Sequence, residues 1–326
     1  MIARILIPVV VFTLLPYLWI YKRYGKLRLK SLWQRALFWL PALVVIAYSA
    51  YITMLPNFLP RNPVLIDIWF VVMAVCAVPQ FVFSLFSGFG WCCMRLLHGR
   101  RNWGKLLGLV VGAVAFFCFI YGFTEGFPEM QVKRITVYVP DLPKSFEGYR
   151  IVQFSDIHLG SYYGWRGHLP QRDIDSINAE KPDLICFTGD LQNVTPDELP
   201  KYQALLSSLK ARDGVMSVLG NHDYTYYMDV DDEQEIAALE KRVQDFQRSC
   251  GWRLLMNEHV AVHRGADSIY VVGTENYDKP KRTNVRKALY GIRPGSFVLM
   301  LQHIPKQWRE TWPSTINKEK DEDGDV

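Results

Sequence analysis

Four long apolar runs constrain this chain more than any other feature. They are Ile5 to Tyr21, Ala36 to Leu55, Val64 to Phe86 and Leu106 to Phe123. Each is close to the roughly 20 residues that a helix needs to cross a bilayer. Trp19, Tyr21, Trp69 and Trp91 stand at or near their ends, where interfacial aromatics collect. Core helices of a soluble protein are the alternative, but length and the scarcity of charge speak against it. Residues 1–123 therefore read as a four-helix transmembrane region (5–21, 36–55, 64–86 and 106–123).

The positions of the charges matter more than the net +5. Lys22, Arg23, Lys26, Arg28, Lys30 and Arg35 crowd the first connection, and Arg95, Arg100, Arg101 and Lys105 the third, while the second holds only Arg61. Lys and Arg collect in cytoplasmic loops, so these two connections are expected in the cytoplasm and everything after Phe123 on the outer face of the plasma (inner) membrane. The basic charge thus implies a lipid bilayer as partner and no nucleic acid. A cleaved signal peptide fits poorly, because the positive cluster follows the first apolar run instead of preceding it and no A-x-A-like site is evident. The six cysteines form no C-x-x-C pair or evenly spaced framework and read as small buried hydrophobes.

Beyond a linker at 124–131 the period changes. Ile135, Val137 and Val139 alternate, so Val132 to Val139 is expected to be a strand. Ile151 to Phe154 is an apolar run closing on Ser155-Asp-Ile-His-Leu-Gly160. Leu184 to Phe187 ends in Thr188-Gly-Asp190, Val215 to Leu219 in Gly220-Asn-His-Asp223, and Ser296 to Leu301 in Gln302-His303. Between them, helical spacing marks His168 to Glu180, Leu199 to Leu209 and Ile236 to Phe246, and shorter strands read at 253–256, 260–263 and 268–272. Strand–helix alternation followed by a strand-rich stretch predicts an α/β sandwich of mixed sheets with flanking helices (αββα) over 132–303.

Four strands thus end in D-x-H, G-D, G-N-H-D and a lone His. Residues two apart on an extended backbone point the same way, so Asp156 and His158 are expected to converge on one cation. Oxygen and nitrogen ligands without thiolates suit Mn, Fe or Zn. Neither a phosphate-cradling glycine loop nor G-x-S-x-G is present, which leaves nucleotide-loop and serine-hydrolase chemistries without support. Asn193 and Asp223 are candidates to orient ligands. Glu275 and Asp278 follow a strand end and could face substrate, although a turn is the simpler reading. Tyr224, Tyr226 and Tyr227 either line the site's mouth or pack. His259 and His263 alternate with apolar residues and read as structural.

Together these motifs resemble the calcineurin-like metallophosphoesterase superfamily, in particular its branch with an N-terminal membrane region. The resemblance implies a hydrolase cleaving a phosphomonoester or phosphodiester with two divalent metal ions and in-line attack by a metal-bridging hydroxide, and the membrane anchor adds, by proximity, the expectation of a lipid-linked or envelope-derived substrate. The resemblance also implies that Asp156 and His158 bind the first metal, that Asp190 bridges both, and that Asn221 and His303 bind the second. His222 is the implied catalytic residue, contacting phosphate and protonating the leaving oxygen. A shared carboxylate is physically apt, since two cations roughly 3.5–4 Å apart repel unless an anion lies between them.

The family also has a G-H-x-H motif after the position of His303, whereas here Trp312 to Val326 contains no histidine. The phosphoesterase domain is therefore expected to be C-terminally incomplete, with 304–326 a polar tail. Asp321, Glu322, Asp323 and Asp325 of that tail read as solvated and not as ligands. The competing expectation is a catalytically impaired membrane protein that keeps the fold.

Overall fold

The computed structural model describes residues 3–55, 63–224, 227–228 and 230–310. The chain forms two compact units, Met1–Met130 and Gln131–Val326.

In the first unit α1 (Ala3–Ile20), α2 (Leu32–Met54), α3 (Pro63–Cys76), α4 (Val78–Leu96) and α5 (Gly104–Tyr121) supply four segments long and apolar enough to cross a membrane: Ile5–Gly25, Leu32–Met54, Val64–Leu96 and Gly104–Gly126. Ser31 starts α2 with a capping box, its hydroxyl accepting from Gln34 N–H at 3.3 Å and the Gln34 side chain accepting from Ser31 N–H at 3.2 Å. The third segment runs ten residues past the predicted Phe86, and Ala77 separates α3 from α4 just before Pro79, whose ring cannot continue the preceding helix. Gly104, Gly108 and Gly112 of α5 lie against backbone carbonyls of Phe86, Phe83 and Pro79 in α4. Small residues let membrane helices approach closely.

The second unit contains two sheets. β1 (Ile151–Phe154), β2 (Leu184–Phe187), β3 (Val215–Ser217) and β4 (Arg253–Leu254) form a parallel sheet in that order. β5 (Glu258–Arg264) and β6 (Asp267–Gly273) form a hairpin, and β7 (Val298–Leu301) lies parallel to β6. α6 (Leu169–Ala179), α7 (Gln203–Leu206) and α8 (Glu233–Ser249) connect the first sheet, and α9 (Val285–Leu289) lies in the β6–β7 crossover.

β2 shows why the layers stack in this way. Leu184 and Cys186 enter a core with Met216, Leu255, Ile269, Val271 and Leu301 between the two sheets. Ile185 and Phe187 point the other way, against Ile174, Leu206, Val243 and Trp252 on the helical side. A strand covered on both faces reads as an unbroken apolar run. All six cysteines are free, and burial pushes the Cys186 thiol up to about 12, which makes it inert packing.

Two elements differ from expectation. Residues 129–139 form no strand, and Ile135 and Val137 are 71% and 73% exposed. Alternation prepares a segment for pairing, but a strand also needs a neighbouring backbone. The helix expected over Leu199 to Leu209 shrinks to α7, preceded by short 3₁₀ turns at Pro196–Glu198 and Pro200–Tyr202. Prolines at 196 and 200 remove backbone donors from that stretch, yet Leu199, Tyr202 and Leu206 still reach the core.

Candidate metal centre

Parallel strands deliver their following loops to one edge, where open α/β sheets place their chemistry. β1 brings Asp156 and His158 there, β2 Asp190, and β3 Asn221 and His222; β7 of the second sheet brings His303. The ligand atoms of Asp156, Asp190 and His303 lie within 4.8 Å of one another, and so do those of His158, Asp190 and His222. These groupings share Asp190 but distribute the other residues differently from the partition implied by resemblance.

The D-x-H pair does not converge through extended backbone, as the sequence reading supposed. β1 ends at Phe154, and Asp156 and His158 adopt left-handed φ angles of 54° and 45°. Asp156 N–H donates to the Gly189 carbonyl at 2.9 Å and His158 N–H to the Asp190 carbonyl at 3.1 Å, which ties this loop to the next one. Asp190 is itself left-handed at 63°. Non-glycine residues hold such angles only where their surroundings over-determine them.

The G-D and G-N-H-D loops touch through their glycines. A Cβ on Gly189 would lie 2.4 Å from Gly220 N, and one on Gly220 would lie 2.1 Å from Asp190 Oδ1. Beneath this contact Asp223 is fully buried, accepting backbone N–H from Asp190 (2.8 Å), Leu191 (2.8 Å), Gln192 (3.3 Å) and Gly220 (3.0 Å). Burial, together with the nearby Asp190 charge, pushes the Asp223 carboxyl up to about 6 against the pull of these donors. Burial also works against ionisation of Asp190. The His303 imidazole and the His222 N–H, 2.8 Å from Oδ1, nevertheless hold that carboxyl below its ordinary value.

All three site histidines are oriented by one short segment. His303 Nδ1 faces the Thr188 carbonyl at 2.9 Å, His158 Nδ1 the Gln192 carbonyl at 3.2 Å, and His222 Nδ1 the Asn193 carbonyl at 2.5 Å. A carbonyl only accepts, so each Nδ1 carries a proton and Nε2 is the nitrogen left for other partners. The Nε2 atoms of His158 and His303 lie 3.6 and 3.4 Å from Asp190 Oδ2. This is how metal-binding histidines are usually held, with the second nitrogen bonded to a carbonyl or carboxylate. The chemistry of the donor set fits hard or borderline divalent cations.

The remaining candidates separate clearly. Tyr227 stacks on His222 with centroids 4.2 Å apart, and its oxygen accepts from the Asn221 amide at 2.8 Å. Tyr224 is core, and Tyr226 lies outside the described residues. Glu275 accepts from Asn257 Nδ2 at 2.6 Å and from Tyr224 O–H at 3.4 Å, in a polar network of its own. His259 Nδ1–H donates to the Ala288 carbonyl at 2.8 Å, so it is structural. The acidic residues at 321–325 lie outside the described residues. The sequence reading missed Glu198, which accepts three backbone N–H groups of the loop after Asp190; the spacing Thr195-x-x-Glu198 of a capping box was the available signal.

Comparison with known proteins covers both units. Residues 3–127 match the family described as "Probable Calcineurin-like phosphoesterase, transmembrane domain", and residues 149–319 match "Calcineurin-like phosphoesterase". An uncharacterized metallophosphoesterase of Helicobacter pylori is 26% identical over 92% of this chain and 78% of its own length. A transmembrane protein with metallophosphoesterase domain from Danio rerio is 28% identical over 73% of this chain, which spans little more than half (56%) of that relative. The UDP-2,3-diacylglucosamine pyrophosphatase LpxG of Chlamydia trachomatis is 36% identical over 32% of each chain. The chain belongs to the calcineurin-like phosphoesterase family, with a four-helix membrane unit ahead of its phosphoesterase fold.

Proposed function

We propose that this protein is a membrane-anchored, divalent-metal-dependent phosphoesterase whose second unit works on the outer face of the plasma membrane. One observation carries the reading: three histidines, each with its Nδ1–H given to a backbone carbonyl, surround a buried aspartate whose carboxyl is held ionised. Asp190 would be shared by two cations, with Asp156, His158, Asn221 and His303 as the other ligands. Bound divalent cations of the Mn, Fe or Zn type would supply positive charge to the phosphoryl oxygens and lower the pKa of water.

The chain's own residues do the rest. Asp190 and the flanking ligands would hold the cations in place, and His222, protonated on both ring nitrogens when it acts, gives its Nε2 proton to the leaving oxygen. The membrane unit favours an amphiphilic, lipid-linked or envelope-derived phosphoester. The Chlamydia relative's name, a pyrophosphatase of a diacylated sugar nucleotide, points in the same direction.

The test is hydrolysis of bis(4-nitrophenyl) phosphate by the full chain in detergent, with Mn²⁺ or with EDTA. Metal-dependent turnover is expected. A chain that binds Mn²⁺ stoichiometrically yet hydrolyses no phosphoester would be a non-catalytic member of the fold.

A further inference from the structure

Glu198 lies outside every motif that marks the site, in the 3₁₀ turn Pro196–Glu198. Its Oε2 accepts Asn193 N–H at 2.6 Å, and its Oε1 accepts Val194 N–H at 3.0 Å and Thr195 N–H at 3.1 Å. Hydrogen bonds to an ionised carboxylate are the strong ones, and three in succession leave this loop one conformation. Space for the carboxylate comes from the opening motif, since a Cβ on Gly160 would lie 2.5 Å from Oε2. The preceding amides, of Asp190, Leu191 and Gln192, are taken by Asp223 instead. Two carboxylates therefore divide the loop. Asp223 secures the part that carries Asp190, and Glu198 the part that carries Asn193.

The division matters because the Asn193 carbonyl accepts the hydrogen bond from His222 Nδ1–H. We propose that Glu198 is a positioning residue for proton donation: it fixes the Asn193 carbonyl, which holds His222 Nδ1–H and so the direction in which the ring presents Nε2. The inference rests on the reading of His222 as general acid. In that step the water oxygen bonds to phosphorus as the ester P–O bond breaks. The departing oxygen takes the Nε2 proton of the doubly protonated His222 ring, while Nδ1 keeps its own proton, hydrogen-bonded to the Asn193 carbonyl. The proton lost by the water goes to solvent, which then reprotonates Nε2.

Leaving groups supply the test. A 4-nitrophenolate leaves without help, whereas a phenolate or alkoxide needs the acid. Glu198→Gln replaces one accepting oxygen with an NH₂ group that opposes the backbone donors. In the full chain purified in detergent with Mn²⁺, we expect this variant to lose turnover of methyl phenyl phosphate about tenfold more than turnover of methyl 4-nitrophenyl phosphate. Bound Mn²⁺, measured by elemental analysis, should not change. Gly160→Ala, which crowds the same carboxylate, should give the same selective loss and serves if Glu198→Gln does not fold. Equal losses on both esters, or loss of Mn²⁺, would mean that Glu198 merely supports the loop, and would overturn the proposal. If His222→Ala were itself blind to the leaving group, the general-acid reading would fail first and this inference with it. A wild-type chain that cleaves neither ester would refute both.

Discussion

His303 Nε2 lies 3.4 Å from Asp190 Oδ2 and 3.0 Å from Asn221 Oδ1. The Asn221 amide nitrogen donates to Tyr227, which turns Oδ1 toward the imidazole. Nδ1–H is already given to Thr188, so Nε2 faces two acceptors and needs either a proton or a cation. Burial alone would lower the basicity of this ring, but the Asp190 carboxylate outweighs it and raises His303 to about 9.

Metal affinity should therefore depend on pH. In metal-free protein the folded pKa of His303 exceeds its unfolded value of about 6.5. The stabilisation from the proton-bound pair is thus complete below about pH 6.5 and lost as pH rises through 9. A cation must expel that proton, so Mn²⁺ affinity should rise about tenfold per pH unit between pH 6.5 and 8. Calorimetric titration at both pH values checks this, and His303→Gln should flatten the slope.

Asp190→Ala should remove both cations, because Asp190 is the one residue proposed to serve both. His222→Ala should keep them and slow hydrolysis of poor-leaving-group esters by roughly 10²–10⁴. Elemental analysis beside a hydrolysis assay separates the two; loss of metal from both variants would make His222 a ligand.

Much of the site was legible in the sequence because its residues sit at strand ends, and apolar runs that stop at Gly or Asp are visible in one dimension. The backbone that aims them was not. The left-handed angles at Asp156 and His158 come from hydrogen bonds to Gly189 and Asp190, more than thirty positions away. The carbonyls of Thr188, Gln192 and Asn193 carry no residue-type signal at all. Val132 to Val139 misled for a related reason: its alternation is real, but pairing depends on what lies beside it.

Asp223→Ala should destabilise the second unit by about 3–5 kcal/mol, since it orphans four buried amides. Asp223→Asn keeps one accepting oxygen and should fall between that variant and wild type. Thermal unfolding in detergent micelles reads the order, and equal melting of all three would contradict it.

Gly220→Ala should cost metal before it costs fold. The added methyl would sit 2.1 Å from Asp190 Oδ1 and 2.5 Å from Asp190 N, so the shared carboxylate must swing away. We expect Mn²⁺ content to drop to that of Asp190→Ala while circular dichroism stays close to wild type.

The basic connections predict an orientation in the membrane. In a chain whose native cysteines are replaced, Lys144→Cys should react with a membrane-impermeant maleimide in intact cells, and Lys26→Cys only after lysis. The reverse pattern would place the phosphoesterase unit in the cytoplasm.

Three imidazoles, reached from three different strands, take their direction from carbonyls within a single six-residue segment, Thr188 to Asn193. A point substitution there leaves the carbonyls in place. An inserted or deleted residue would shift the register of His158, His222 and His303 together. Among natural variants of this chain, length changes should therefore be absent between Thr188 and Asn193 and should gather in places such as the hairpin turn between Arg264 and Asp267.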